Sequence, residues 1–398
     1  MTSNRELPPA MVLGADSAIG LTVVRELGGH GVPVIAVGRS RWSIGSHSRF
    51  AQRHIVRPEG IKLADWLPDA IAESGAGVVI PVSEGDLLEL ADMPATIGQC
   101  RIASPRHEQL AIVLDKLNTL AKAREIGFDV PDTWQPGEGE DFDARAAHLS
   151  YPVTLKWRDP PAIWDRLKSA GIAFEKAEYA DNPEALLAIL QRYHPLGLYP
   201  LVQTWCAGYG FGQMLMMEEG RAVLRFQHRR LREYPASGGI STLCRSVPLS
   251  DHRAQMEKSE ALLRAIGWEG AAMVEYRHDP TTGRYWLMEI NGRLWGSLPL
   301  ASQSGAHFAF ALYRHFTGND AGELALDYRD HRARYVVPDT KRLIGQLCAG
   351  NLPVGAKIRE LATYAADFFR PDTGYYVARL SDPMPTLADV VGIVMRIL

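Results

Sequence analysis

Gly270-Ala271-Ala272-Met273-Val274-Glu275-Tyr276-Arg277-His278, then Asp279-Pro280-Thr281-Thr282-Gly283, then Arg284-Tyr285-Trp286-Leu287-Met288-Glu289-Ile290-Asn291-Gly292-Arg293: on this stretch the reading of the whole chain turns. Two strand-like runs flank a turn of Asp, Pro, Thr and Gly, the pattern of a β-hairpin. Side chains alternate across a strand, so Glu289, Asn291 and Arg293 share one face and Trp286, Met288 and Ile290 the other. Pairing His278 with Arg284 sets Glu275 opposite Leu287 and diagonal to Glu289, about 7–8 Å away on the same face. Two carboxylates so placed repel unless a cation lies between them, and a hard divalent ion held by carboxylate and amide oxygens meets that need. Magnesium bridging nucleotide phosphates is the natural candidate. The bland alternative is a solvated face on which the glutamates pair with Arg277 and Arg293.

Upstream, residues 10–39 read as strand, turn, helix from about Ile19 to His30, and strand from Val32 to Val37, a βαβ start. The apolar run Gly77–Val82 ends in Ser83-Glu84-Gly85-Asp86, where a parallel strand meets a helix. The first 110 or so residues are therefore expected to form an α/β domain. Asp115 caps a helix containing Leu117, Leu120 and Ala121, with Gly127 and Pro131 as its stop. A small α+β lobe follows, with a strand at 151–157, a helix from Pro183 to Tyr193 and a strand at Leu201–Cys206. Gly208, Gly210 and Gly212 mark a hinge or tight turns.

Length sets the prior at two to three units for 398 residues. A formal net charge of −3 argues against a nucleic-acid footprint, so any phosphate partner is small. Cys100, Cys206, Cys244 and Cys348 show neither metal-knuckle nor secreted-disulfide spacing, which fits a reducing cytoplasm. No leader-like segment and no apolar run of membrane-spanning length stands in the sequence, so a membrane partner is not expected.

The segment Met288-Glu289-Ile290-Asn291-Gly292-Arg293 resembles the E-[IMV]-N-x-R signature of the ATP-grasp superfamily, and Glu275 stands where that family has its other metal carboxylate. Further resemblances follow in family order. Asp115-Lys116 with Ile126-Gly127-Phe128-Asp129-Val130-Pro131 looks like the opening of the nucleotide lobe, and Tyr151-Pro152-Val153-Thr154-Leu155-Lys156 like the strand whose last lysine contacts ATP. Leu201-Val202-Gln203-Thr204-Trp205-Cys206 is similar to the hinge strand beside adenine. The resemblance implies an N-terminal Rossmann-like domain (1–112), a small nucleotide lobe (113–203) and a C-terminal lobe with the metal and substrate site (204–398), together an α/β and α+β fold. It implies Lys116, Lys156, Gln203, Thr204, Trp205 and Cys206 around ATP, Glu275, Glu289 and Asn291 around Mg2+ (or Mn2+), and Arg293 with Lys156 as catalytic groups. Taken singly, each lysine is an ordinary surface lysine with its ammonium in water. Two departures stand out: Arg158-Asp159-Pro160-Pro161-Ala162-Ile163-Trp164-Asp165-Arg166 replaces a glycine-rich lid, leaving Lys168 and Lys176 as neighbours, and Arg277 replaces an apolar residue.

The stretch from His228 to Thr242 combines Arg229, Arg230 and Arg232 with Gly238-Gly239-Ile240-Ser241-Thr242, a pattern suited to anions. Arg230, Arg232, Gly239, Ser241 and Arg293 are the candidate substrate contacts; the alternative is a solvated strand face paired with acids such as Glu233. The activity implied is ADP-forming ligation of a small carboxylate to an amine through an acyl phosphate. Relatives of this type often form homodimers, although no dimerisation signal stands in the sequence. Two other readings compete: an ATP-binding phosphotransferase or nucleotide sensor, and an NADP-dependent oxidoreductase prompted by Gly14-Ala15-Asp16-Ser17-Ala18-Ile19-Gly20 and Arg39.

Overall fold

Strand β1 (Ala10–Leu13), helix α1 (Ala18–Gly29) and strand β2 (Val34–Gly38) form the βαβ unit that the opening residues predict, with β1 and β2 parallel. The computed structural model describes residues 7–235, 238–318, 324–350 and 352–397. The chain continues through β3 (Ala51–Val56), α2 (Leu63–Ser74), β4 (Val78–Pro81), α3 (Glu84–Ala91), β5 (Thr96–Ile97) and β6 (Cys100–Ile102). These strands make one sheet in the order β3-β2-β1-β4-β6-β5, parallel except for β5. Every residue of β1, β2 and β4 is buried, which is why they read as unbroken apolar runs: a parallel sheet covered on both faces leaves no solvent side to alternate with.

After α4 (His107–Leu114), Asp115 accepts from the backbone N–H of Leu117 at 3.0 Å and of Asn118 at 3.3 Å, capping α5 (Lys116–Glu125). An antiparallel sheet ordered β7-β10-β8-β9 follows, from β7 (Thr133–Trp134), β8 (Val153–Lys156), β9 (Glu178–Ala180) and β10 (Leu201–Thr204). Between them lie α6 (Phe142–Ala147), α7 (Pro160–Ser169) and α8 (Pro183–Tyr193). The polar stretch 158–166, which departs from a glycine-rich lid, is mostly helix α7: Asp159 caps it through Ala162 N at 3.2 Å, and proline suits a first helical turn.

The third sheet has seven strands: β11 (Tyr209–Glu218), β12 (Arg221–Tyr234), β13 (Ile240–Ser246), β14 (Gly270–Asp279), β15 (Arg284–Asn291), β16 (Arg332–Arg334) and β17 (Thr373–Tyr375), in the order β15-β14-β11-β12-β13-β16-β17. Helices α9 (Arg253–Ala265), α10 (Leu298–Ser304), α11 (Phe308–Thr317), α12 (Val336–Cys348), α13 (Val354–Ala366) and α14 (Met384–Ile397) complete it. The stretch 228–242, read from sequence as an anion loop, is mostly strand: β12 runs to Tyr234 and β13 begins at Ile240, while Ala236 and Ser237 lie outside the described residues.

One apolar cluster spans the first and third sheets, joining Val12, Leu27 and Ile80 to Met214, Phe226, Phe308 and Tyr313. The second sheet keeps its own cluster of Trp134, Leu155, Trp157, Leu186, Tyr193 and Val202. Two bodies with separate cores face each other, and the cleft between them is where polar groups collect. Among the described residues no helix is long and apolar enough to cross a membrane.

Candidate active site

The hairpin forms as the sequence predicts, but its register differs from the simple pairing. Asp279 lies opposite Arg284, Tyr276 opposite Leu287, and Glu275 directly opposite Glu289, because the pairing shifts between Glu275 and Tyr276 and leaves Met288 as an extra residue. Such a bulge re-aims the side chains around it. Leu287 and Ile290 both enter the core beside Val274 and Tyr276, whereas Met288 and Glu289 both line the cleft. Met288 therefore does not lie on the buried face that strict alternation assigned to it, and the glutamates face each other more closely than the expected diagonal.

What holds two facing carboxylates together here is Arg230. Its Nη2 lies 2.6 Å from Glu275 Oε2, and its Nη1 donates to Glu233 Oε1 at 2.9 Å and to the Gly239 carbonyl at 3.2 Å. Arg277 Nη1 extends the chain, 3.4 Å from Glu233 Oε2. Arg230 is on β12 and Glu275 on β14, with β11 between them, so the guanidinium must cross an intervening strand. It crosses over glycine: a Cβ at Gly210 would sit 2.7 Å from Arg230 Cδ, and Gly212 is the residue paired with Glu275. Gly210 and Gly212 lie inside β11, not in a hinge, while Gly208 does take a left-handed φ of 99° where its backbone presses on His278.

One cleft between the second and third sheets gathers Lys116, Lys156, Gln203, Thr204, Trp205, Cys206, Arg230, Gly239, Glu275 and Glu289. Lys116 is the first residue of α5, Lys156 the last of β8, and the hinge residues follow from β10. Asp115, the cap of α5, also takes a two-pronged contact from Arg158, with Nη2 to Oδ2 at 2.5 Å, which ties the start of α5 to the segment after β8. Trp157, Phe174 and Tyr179 supply aromatic wall, and Gly238 from the β12–β13 turn closes on Tyr179. Of the two lysines left open by the missing lid, Lys176 lines the cleft and Lys168 does not.

The charges are strongly coupled. Burial alone would raise the Glu289 carboxyl, but Lys116, Lys176, Lys156 and Arg230 outweigh it and hold it down at about 2. Burial lowers the Lys156 ammonium, opposed by Glu289 and Glu275 and reinforced by Lys116 and Lys176. His228, two residues before Arg230, is pushed down to about 3 by burial and by that arginine, and its neutral ring meets Ser297 Oγ at 2.8 Å. A facing carboxylate pair, one of them held ionised, with the Asn291 amide 3.4 Å from Glu289 Oε1, is the donor set by which Mg2+ is usually attached while nucleotide phosphates complete its shell.

Some candidates stand elsewhere. Arg232 does not line the cleft; its guanidinium is taken by Asp339 and Asp367, each at 2.8 Å, because a bulge at Leu231 turns it to the opposite face from Arg230. A second irregularity, at Thr242, separates Ser241 from the cleft lining. Arg293 does not line the cleft; its Nε lies 3.8 Å from Glu84 Oε2 at the start of α3. Sequence reasoning did not place Glu233 or Met288 in the cleft; the bulges beside them leave no compositional mark. After β1 the Asp16 carboxylate accepts from Arg39 N at 2.9 Å and from Ser43 Oγ at 2.5 Å, which ties the β1–α1 turn to the end of β2.

Known proteins resemble this chain in the hairpin segment and in fold. A family model described as the carbamoyl-phosphate synthase L chain, ATP binding domain, matches residues 244–315, the segment holding the hairpin. The carbamoyl phosphate synthase large chain of Thermus thermophilus is 24% identical over 72% of this chain and 28% of its own length, so this chain spans little more than a quarter of that relative. The D-alanine–D-alanine ligase of Ectopseudomonas mendocina is 26% identical over 52% of this chain and 61% of its own. Among solved structures, the biotin carboxylase domain of Hydrogenobacter thermophilus 2-oxoglutarate carboxylase, in complex with MgADP and bicarbonate, aligns with a TM-score of 0.60 at 16% identity, covering 82% of this chain and 73% of that one. Matched through its hairpin by an ATP-binding domain model and over most of its length by a biotin carboxylase domain, the chain is similar to ATP-grasp proteins and shares their fold.

Proposed function

We propose that this chain is an ATP- and Mg2+-dependent ligase that activates a small carboxylate as its acyl phosphate and joins it to an amine, releasing ADP and phosphate. The observation that carries the reading is the convergence in one cleft of a facing Glu275–Glu289 pair with Lys116, Lys156, Arg230 and the hinge residues Gln203 to Cys206. The relatives named above, two of them an amino-acid ligase and a carbamoyl phosphate synthase, support the same class. We further read 1–112, 113–203 and 204–398 as the three functional units, supported by the three sheets, whose strands run from Ala10 to Ile102, Thr133 to Thr204 and Tyr209 to Tyr375. Four free cysteines support a cytoplasmic setting.

In this mechanism Gln203, Thr204, Trp205 and Cys206 border the adenine, while Lys116 and Lys156 hold phosphate oxygens as point charges. Glu275, Glu289 and Asn291 would hold Mg2+ (or Mn2+), which when bound supplies charge neutralisation between phosphate oxygens. Arg230, drawn off Glu275, holds the substrate carboxylate together with the backbone at Gly239. Arg293, beside Glu84, stabilises the phosphoryl group as the carboxylate attacks in line. The amine then attacks the acyl carbon and phosphate departs. Arg232, committed to Asp339 and Asp367, has no part in this scheme.

The test is Mg2+-dependent ADP release from purified protein against a panel of amino acids and other carboxylates, with hydroxylamine present. Hydroxamate formed in step with ADP is expected; ADP release without hydroxamate on every acid would favour a phosphotransferase, and no nucleotide binding would overturn the reading.

A further inference from the structure

Helix α13 is turned the opposite way from an ordinary surface helix. None of its 13 residues is buried. A helix on a soluble protein sets its apolar stripe against the core and its polar side in water. In α13 the polar side faces the protein: Glu360 pairs with Arg342 of α12 at 2.9 Å, the Tyr364 hydroxyl meets Thr340 Oγ1 at 2.6 Å, and the Tyr364 carbonyl accepts from Arg334 at 3.1 Å. Val354, Ile358, Leu361 and Ala365, spaced i, i+4, i+7 and i+11, form one stripe, and all four are exposed, Val354 at 73% and Ile358 at 63%. The turn that ends the helix, Asp367–Phe369, adds Phe369, which is 86% exposed. Covering such a stripe is favourable, and none of the described residues covers it.

Charge decides what fits over it. At about 100° per residue, Lys357 stands on one flank of the stripe and Arg359 on the other, and Lys341 is exposed on the neighbouring α12. None of these three cations has an acidic partner among the described residues, whereas the acids nearby are taken: Glu360 by Arg342, Asp367 by Arg232 and Arg332, and Asp372 by Arg370. A second copy docked by two-fold symmetry would lay this patch on itself, cation towards cation with no free acid to meet either. A peptide enters a groove or extends a strand edge, and a helix with no buried residue is a ridge that offers neither.

An apolar stripe between Lys and Arg, with a Phe at its end, matches a surface that is apolar beneath and negatively charged above. We propose that α13 and the turn after it dock this protein on an anionic lipid bilayer, with the stripe and Phe369 among the acyl chains and Lys341, Lys357 and Arg359 at the headgroup phosphates. The lack of a spanning helix bears only on crossing a membrane, not on lying at its surface. The docking does not rest on the ligase reading, and α13 contributes no lining residue to the nucleotide cleft.

The test is flotation of the purified full chain with vesicles of phosphatidylcholine alone and of phosphatidylcholine mixed with phosphatidylglycerol, at low and high salt. Binding to the anionic vesicles is expected, weaker on the neutral ones and weakened by salt, which screens exposed charges. The triple variant Lys341→Gln/Lys357→Gln/Arg359→Gln should reduce binding to anionic vesicles by about a hundredfold, at about fivefold per cation. Ile358→Glu/Phe369→Glu, both at exposed positions, should abolish it with the far-ultraviolet circular dichroism spectrum preserved. No binding to anionic vesicles, equal binding to neutral and anionic ones, or binding that survives Ile358→Glu/Phe369→Glu would each overturn the proposal. So would a dimer, seen by sedimentation velocity, that Ile358→Glu/Phe369→Glu dissociates, since a second copy would then own this face.

Discussion

Glu289 carries a half-buried negative charge that its cationic neighbours hold ionised, and that is also what would suit it to a metal. Replacing it by Gln keeps the shape and removes the charge that Lys116, Lys156, Lys176 and Arg230 surround. Glu289→Gln is expected to lower Mg2+-dependent turnover by about a hundredfold or more, in the range for losing an electrostatic catalytic group, with the far-ultraviolet circular dichroism spectrum preserved. Unchanged turnover would remove Glu289 from the metal site. Arg230 and Arg232 show the limit of sequence at this scale. Both are arginines on one strand two residues apart, and alternation gives them one face; the bulge at Leu231 gives them two fates, one at Glu275 and the other at Asp339 and Asp367. Arg232→Met should therefore affect stability more than substrate affinity, read as a lowered melting temperature with an unaltered KM.

At the scale of elements, β11 works by what it lacks. Gly210 lets the Arg230 stem pass from β12 to β14, and a methyl group there, 2.7 Å from Arg230 Cδ, would push the guanidinium off Glu275. Gly210→Ala is expected to reduce ATP-dependent turnover by about tenfold or more while the strand itself tolerates alanine; equal kinetics in variant and wild type would mean that Arg230 needs no such passage. The elements themselves were largely legible. The capped α5, helix α8 from Pro183 to Tyr193, the parallel strands as unbroken apolar runs and the hairpin around Asp279–Gly283 follow from local rules that act within a few residues. The bulges at Met288 and Leu231 did not show, because a bulge is set by pairing with a neighbouring strand and costs the sequence no characteristic residue. Helix α7 was missed because paired prolines in a polar stretch read as loop, although Asp159 ahead of them was a cap in plain view.

The whole molecule is held by a core shared between the first and third sheets, and the sequence could not reveal that merger because its contacts join residues hundreds apart, such as Glu26 and Phe310. Glu26 sits in that seam with its carboxyl pushed up from 4.5 to about 7, first by burial, against the relief from its hydrogen bonds. Its protonated form favours the fold, so this contribution is intact below about pH 4.5 and is lost as pH rises through about 7. Glu26→Gln keeps the acceptor for Phe310 N and cannot ionise. It should gain stability over wild type by about 1–3 kcal/mol at pH 8 and little at pH 4, as measured by urea unfolding; parallel pH profiles would contradict the burial argument.

The central claim, that the cleft between the second and third sheets makes an acyl phosphate, is tested most directly by isotope. The carboxylate that best stimulates ADP release would be supplied with 18O in its carboxyl group, together with its amine, and the released phosphate examined by mass spectrometry. Attack of that carboxylate on ATP predicts one 18O in each phosphate formed. Phosphate without label, released alongside ADP and coupled product, would contradict the account.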